Sequence, residues 1–210
     1  MTYPLLDFLT LTFSSAITPG PNNIMSMTMG QKYGFKKSFI FIFGAILGHI
    51  ILLFLLGYLN KVLFTIIPAI QNIMSIFGTV YLIYLAWIVY NSKGIDIKST
   101  QEDVLINKKI FISAFFFQFI NPKASLSSIT IFSTYAFPYF NDMYRISLMV
   151  IVMAFAMLLS LFVWSAFGSL LHEYMLKYRK SFNTIMASLL LYCALSIAKN
   201  IPFIQQFLSV

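Results

Sequence analysis

The sequence predicts an all-α membrane protein: six transmembrane helices in two inverted three-helix repeats, with helices 1 and 4 broken. Three observations predict it. First, 60% of the 210 residues are hydrophobic and 10% are charged, with mean hydropathy +0.85. A soluble domain is nearer a quarter charged, and a spanning helix needs about 20 apolar residues. Second, Thr18-Pro19-Gly20-Pro21-Asn22-Asn23 interrupts an apolar run from Tyr3 to Met29. Third, Asn121-Pro122-Lys123 interrupts a second run, from Ile110 to Tyr135. The chain reads as one transmembrane domain over residues 1–210, with repeat halves at about 1–95 and 105–210.

Each element follows from local chemistry. In segment one, proline lacks an N–H and forces the preceding residue out of the α region. One half-helix therefore stops near Thr18, and a second starts with Pro21 at its first position, where a missing N–H costs nothing. A loop carrying Lys32, Lys36 and Lys37 follows, then segment two, Phe39–Leu59. Segment three is Ile67–Tyr90, with Pro68 suited to a helix start. Asn91–Lys109 is the longest polar stretch and divides the halves. Segment four is Ile110–Tyr135 with its break. Segments five and six are Ile146–Leu171 and Phe182–Ala198. Each broken segment is followed by two unbroken ones. Three spans is an odd number, so the halves insert with opposite orientation, and broken helices at corresponding places point to a midplane binding site. The N-terminus carries Asp7 and no basic stretch, so no cleavable signal peptide is expected.

The net charge of +8 reads as topology charge, because the basic residues cluster between segments; no nucleic-acid partner is expected. The first, third and fifth loops carry ten Lys and Arg between them, and the opposite side carries three. The odd loops are therefore expected in the cytoplasm and both termini outside it. Trp87 and Tyr90 then lie at the cytoplasmic interface.

Lys123 is the most informative residue. A charge at a helix centre costs roughly 2.5–3.5 kcal/mol on insertion scales. Two readings stand: a cation that meets a substrate carboxylate, or a lysine paired with carbonyls freed at Pro122. Asn121 suits an N-cap. Half-helices starting at Pro21 and Pro122 come from opposite leaflets and present positive dipole ends near the midplane. Gln118 adds a polar group there, and Asn22 and Asn23 suit either an ammonium or the broken backbone. His49 follows Gly44-x-x-x-Gly48, a pattern for close helix approach; it suits either a core hydrogen bond or proton coupling. Tyr81, Tyr84 and Trp87 share one helix face, a pattern usual for packing. Cys193, the single cysteine, excludes an intrachain disulfide. No Gly-Lys-Ser/Thr phosphate loop or His-Glu-x-x-His is present, so no cofactor or metal is expected.

These residues resemble the LysE/RhtB family of bacterial amino-acid exporters over nearly the whole chain. Thr18–Asn23 is similar to the first-helix signature of that family. Gly44-x-x-x-Gly48 and Gly78–Trp87 are similar to its second and third segments, and Gln118–Lys123 to its fourth. Leu189–Ala194 is similar to the last helix of the cysteine/O-acetylserine branch. The sequence departs at Asn22 and His49, where many members carry an acid. The resemblance implies a multi-pass, plasma-membrane, secondary-active exporter of a small amino acid, driven by protons, and not an enzyme. Its substrate would be cysteine/O-acetylserine-like, homoserine/threonine-like or another neutral amino acid. The expected substrate site comprises Pro19, Gly20, Pro21, Asn22, Asn23, Tyr81, Gln118, Asn121, Pro122 and Lys123, with His49 for proton coupling. The partners are the amino acid and the lipid bilayer, and a homo-oligomer is compatible with the sequence. The competing classes are an intramembrane enzyme and a channel-like protein.

Overall fold

A computed structural model of the chain describes residues 3–58, 60–91, 103–140, 142–171, 174 and 177–199, with backbone alone at 60–74, 103–106 and 179. Every regular element among them is a helix. Helix α1 is Leu5–Ile17, a half-length piece of 13 residues, about 20 Å at the usual rise. It ends where Thr18, before Pro19, turns extended at φ −57°, ψ 136°, as the proline ring requires. Helix α2 is Pro21–Tyr58 and starts on its proline.

The loop expected around Lys32, Lys36 and Lys37 is absent. Those lysines stand on helical limbs of α2, and Gly34 alone turns the chain, at φ 78°, ψ 163°. Only glycine adopts that conformation without strain, and lysine is a good helix former, so polarity here marks the membrane surface rather than a loop. Helix α3, Asn60–Tyr90, begins ahead of Pro68 rather than at it. Apolar residues before Pro68 continue the helix, and the missing N–H removes one hydrogen bond. Helix α4, Asp103–Ile120, likewise starts ahead of Ile110 and takes in Lys108 and Lys109. The second break leads into α5, Pro122–Ile131, which widens into a π turn at Phe132–Ala136. Helix α6 is Met143–Leu170, its start capped by Asp142, which accepts from the Arg145 N–H at 2.9 Å. Helix α7 is Arg179–Ala198.

Helix α6 packs along α2, α4 lies against α2, and α3 pairs with α7. Packing in a bilayer depends on close approach, because lipid is as apolar as the side chains. Gly44 and Gly48 accordingly face the carbonyls of Phe111 and Phe115 on α4. Gly30 faces Ser165, and Gly168 faces Met27, where α2 meets α6. Ser26 seals that contact by donating to the Leu161 carbonyl at 2.7 Å.

Two apolar cores result, one around Ile24, Phe41 and Leu161, the other around Phe8, Leu53 and Phe132. The first break lies between them, beside Ser160 near the middle of α6. The Gly34 turn lies at the far end of α6, where the Phe35 N–H donates to Ser169 Oγ at 3.3 Å. Since Gly44 meets Phe111, the start of α4 lies toward that end too. Lys32, Lys36, Lys37, Lys108, Lys109 and, by chain continuity, Lys177 and Lys180 thus gather at one end of the bundle. Tyr3, against Met149 and Phe140, marks the other. Lys93 and Lys98 lie outside the described residues. Tyr84 and Trp87 face outward from the bundle, 57% and 69% exposed, and Tyr84 keeps a ring contact with Tyr81 at 6.4 Å between centroids.

Candidate functional site

A helix that stops inside a membrane leaves its last carbonyls without intrahelical partners. Three at the end of α1, those of Ala16, Ile17 and Thr18, have side-chain partners. The Ala16 carbonyl accepts from Asn23 Nδ2 at 2.7 Å and Ser160 Oγ at 2.8 Å. The Ile17 carbonyl accepts from Trp164 Nε1 at 3.1 Å. The Thr18 carbonyl accepts from Asn23 Nδ2 at 3.0 Å and from Lys123 Nζ at 2.9 Å. Lys123 therefore reaches from the second break to the first and places a cation at a helix C-terminus, where the dipole favours it.

The second break is closed differently. Asn121 Oδ1 accepts from the N–H groups of Lys123 at 3.1 Å and Ala124 at 3.5 Å, so the α5 start is self-capped. At the α2 start, by contrast, the Asn22 and Asn23 N–H groups take no acceptor among the described residues. The expectation that both half-helices present free N–H groups therefore holds for α2 and not for α5, because the Asn121 side chain occupies the latter. Gln118, fully buried, exchanges hydrogen bonds with Asn22, at 2.8 and 3.1 Å, and also donates to the Ala114 carbonyl at 3.0 Å. Two side-chain bridges thus tie one break to the other.

Between the breaks lies a cavity of about 70 Å³. Gly20, Pro21, Asn22, Asn23, Asn121 and Lys123 line it, together with His49. Gly20 has a steric reason to be glycine: a Cβ there would stand 2.7 Å from Lys123 Nζ and 2.8 Å from its Cδ. On the side of α1 the lining includes Thr12 and Ser15, and from α5 and α6 it includes Ser128, Met153 and Met157. Thr12 Oγ1 and His49 Nδ1 are buried and lack a hydrogen-bond partner among the described residues. Lys123 carries the one formal charge in this lining. The lining thus brings together a cation, amide and hydroxyl side chains and an imidazole.

The remaining expected residues stand outside it. Pro19 is exposed at the α1 end. Pro122 packs under Gly78 of α3. Gln118 acts through Asn22. Tyr81 bonds Ser113 at 2.9 Å and lies on Phe117, 4.9 Å between ring centroids, so it braces α3 on α4. Sequence reasoning missed Thr12, Ser128, Ser160 and Trp164. The one local signal is Thr12-x-x-Ser15-Ala16, small and polar residues on one face of an apolar half-helix.

The sequence profile of a family described as LysE type translocator matches residues 13–200. Cysteine/O-acetylserine efflux proteins from Escherichia coli (strain K12) and Shigella sonnei (strain Ss046) are each 32% identical over 199 residues, which is 94% of this chain and 99% of theirs. No solved structure matches the chain significantly. Among the described residues, three helices are long and apolar enough to cross a membrane, and two shorter apolar helices accompany them. The chain belongs to the LysE type translocator family of multi-pass membrane transporters and is not an enzyme.

Proposed function

We propose that the protein exports a small amino acid with an uncharged side chain, cysteine or O-acetylserine or one of similar size, across the bacterial plasma membrane. The observation that carries this reading is the cavity between the two breaks, with Lys123 as its one charge and no carboxylate in its lining. A zwitterion needs its carboxylate solvated at mid-depth, and Lys123 with the α2 N-terminus supplies that. A substrate with a second positive charge would find no counter-charge. The named function of the curated relatives supports the same substrate class.

The fold is read as two inverted three-helix repeats, with α1, α2 and α3 in one and α4, α5, α6 and α7 in the other. Two observations support it: α1 and α4 run toward the cavity from opposite ends of the bundle, and each gives way to a proline-led helix. The basic end is read as cytoplasmic, from the charge rule. The driving force is read as an inward proton gradient, with His49 as the proton-accepting group of the cavity.

Two experiments test this. In vesicles of purified protein, L-cysteine, O-acetyl-L-serine or L-threonine should show saturable counterflow that an imposed proton gradient accelerates. His49→Gln should lose the acceleration by the proton gradient. Absence of counterflow for the whole panel contradicts the reading. For orientation, in a Cys193→Ala background, cysteines placed at Lys98 and Lys177 should resist an impermeant thiol reagent in intact cells, and one at Asp142 should react. The reverse pattern would invert the assigned topology.

A further inference from the structure

Two kinds of polar residue line the cavity. Lys123, Asn22 and Asn23 bring donors, the Lys123 ammonium and two backbone N–H groups. Thr12 and His49, 3% and 7% exposed, bring Oγ1 and Nδ1 atoms that are buried and have no hydrogen-bond partner among the described residues. Native proteins pair nearly all buried polar atoms, so each exception calls for a cause. Thr12 had a local partner within reach. Thr28 and Thr130, also inside helices, donate to the carbonyls four residues back, at 2.8 and 2.9 Å. Thr12 makes no such bond and lines the cavity instead.

We propose that Thr12 Oγ1 and His49 Nδ1 receive the ammonium group of the bound amino acid, while its carboxylate lies at Lys123 and the α2 N-terminus. The assignment rests on the transport reading above and adds to it the second half of the binding site. Both atoms offer lone pairs, the imidazole in the tautomer that keeps its proton on Nε2. Neither carries negative charge, so the pair accepts one ammonium and gives no reason to bind a second cation. The side chain of the amino acid then faces Met153, Met157 and Ile131. A volume of about 70 Å³ suits a substrate with a short side chain.

The test compares each of L-cysteine, L-serine and L-threonine with its deamino analogue: 3-mercaptopropionate, 3-hydroxypropionate and 3-hydroxybutyrate. Thermal stabilisation of the purified protein is the readout, with reductant present. The wild type should be stabilised by an amino acid and not by its analogue. Thr12→Val should leave the unliganded melting temperature unchanged or raised, because it removes an unpaired buried hydroxyl at constant shape. It should weaken amino-acid binding at least about tenfold, the loss expected for a hydrogen bond to a charged group. Thr12→Ser, which keeps the hydroxyl, should bind as the wild type does. Thr12→Val binding at wild-type strength, or analogues binding as well as amino acids, overturns the assignment and leaves the transport reading standing. No stabilisation of the wild type by any of the three amino acids overturns both.

Discussion

Lys123→Met is expected to weaken amino-acid binding by at least about 30-fold while the protein still folds into the membrane. Truncating one partner of a buried charged hydrogen bond costs about 2–5 kcal/mol, and the lower figure is already that factor. Folding survives for a specific reason. The Thr18 carbonyl that Lys123 holds also accepts from Asn23 Nδ2 at 3.0 Å, so it keeps a partner in the variant. An apolar residue at mid-depth also removes the cost of burying a charge there. Lys123→Arg should not restore binding. The lysine stem already runs where a Gly20 Cβ would stand, within 2.8 Å, and the planar guanidinium is broader than an ammonium. Thermal stabilisation across an amino-acid panel checks both variants. A wild-type ligand shift in Lys123→Met would reduce the lysine to a cap on α1.

Lys123 already has a partner in the Thr18 carbonyl. If the amino acid binds as proposed, the ammonium exchanges that carbonyl for a carboxylate, a stronger acceptor for a cation, and the carbonyl keeps its second donor, Asn23. The substrate would then compete with one of the two bridges between the breaks and leave the other, Asn22 with Gln118, in place.

How much of this was legible in the sequence follows the range of the physics. The breaks were legible because proline acts on its immediate neighbours: Thr18 is extended and Pro21 and Pro122 open helices, as their chemistry dictates. The Asn121 cap is equally local. That some helix approaches closely at Gly44 and Gly48 followed from side-chain size alone; that it is α4 did not. The turn at Gly34 was hidden, because three nearby lysines resemble a loop and the φ of a single glycine leaves no compositional trace. The carbonyl partners at the end of α1 were hidden for a different reason. Ser160 and Trp164 reach it from α6, which lies far along the chain. Thr12 was unreadable because what distinguishes it is a hydrogen bond it does not make. That Pro122 and Tyr81 serve packing rather than the cavity likewise depends on which helix faces which.

An amino acid bound in the cavity between the breaks should shield a cysteine placed in the cavity lining. Ser127 lines the cavity, is half-buried, and bonds only within its own helix, to the carbonyls of Lys123 at 2.8 Å and Ala124 at 3.2 Å. Ser127→Cys in a Cys193→Ala background should therefore fold and react with methyl methanethiosulfonate. L-Serine, L-threonine or O-acetyl-L-serine is the protecting ligand, since L-cysteine would consume the reagent. At ten times its dissociation constant the bound ligand should slow the reaction about tenfold, by simple occupancy. An unchanged modification rate, at concentrations that stabilise the protein against heat, would place the substrate elsewhere and contradict the account.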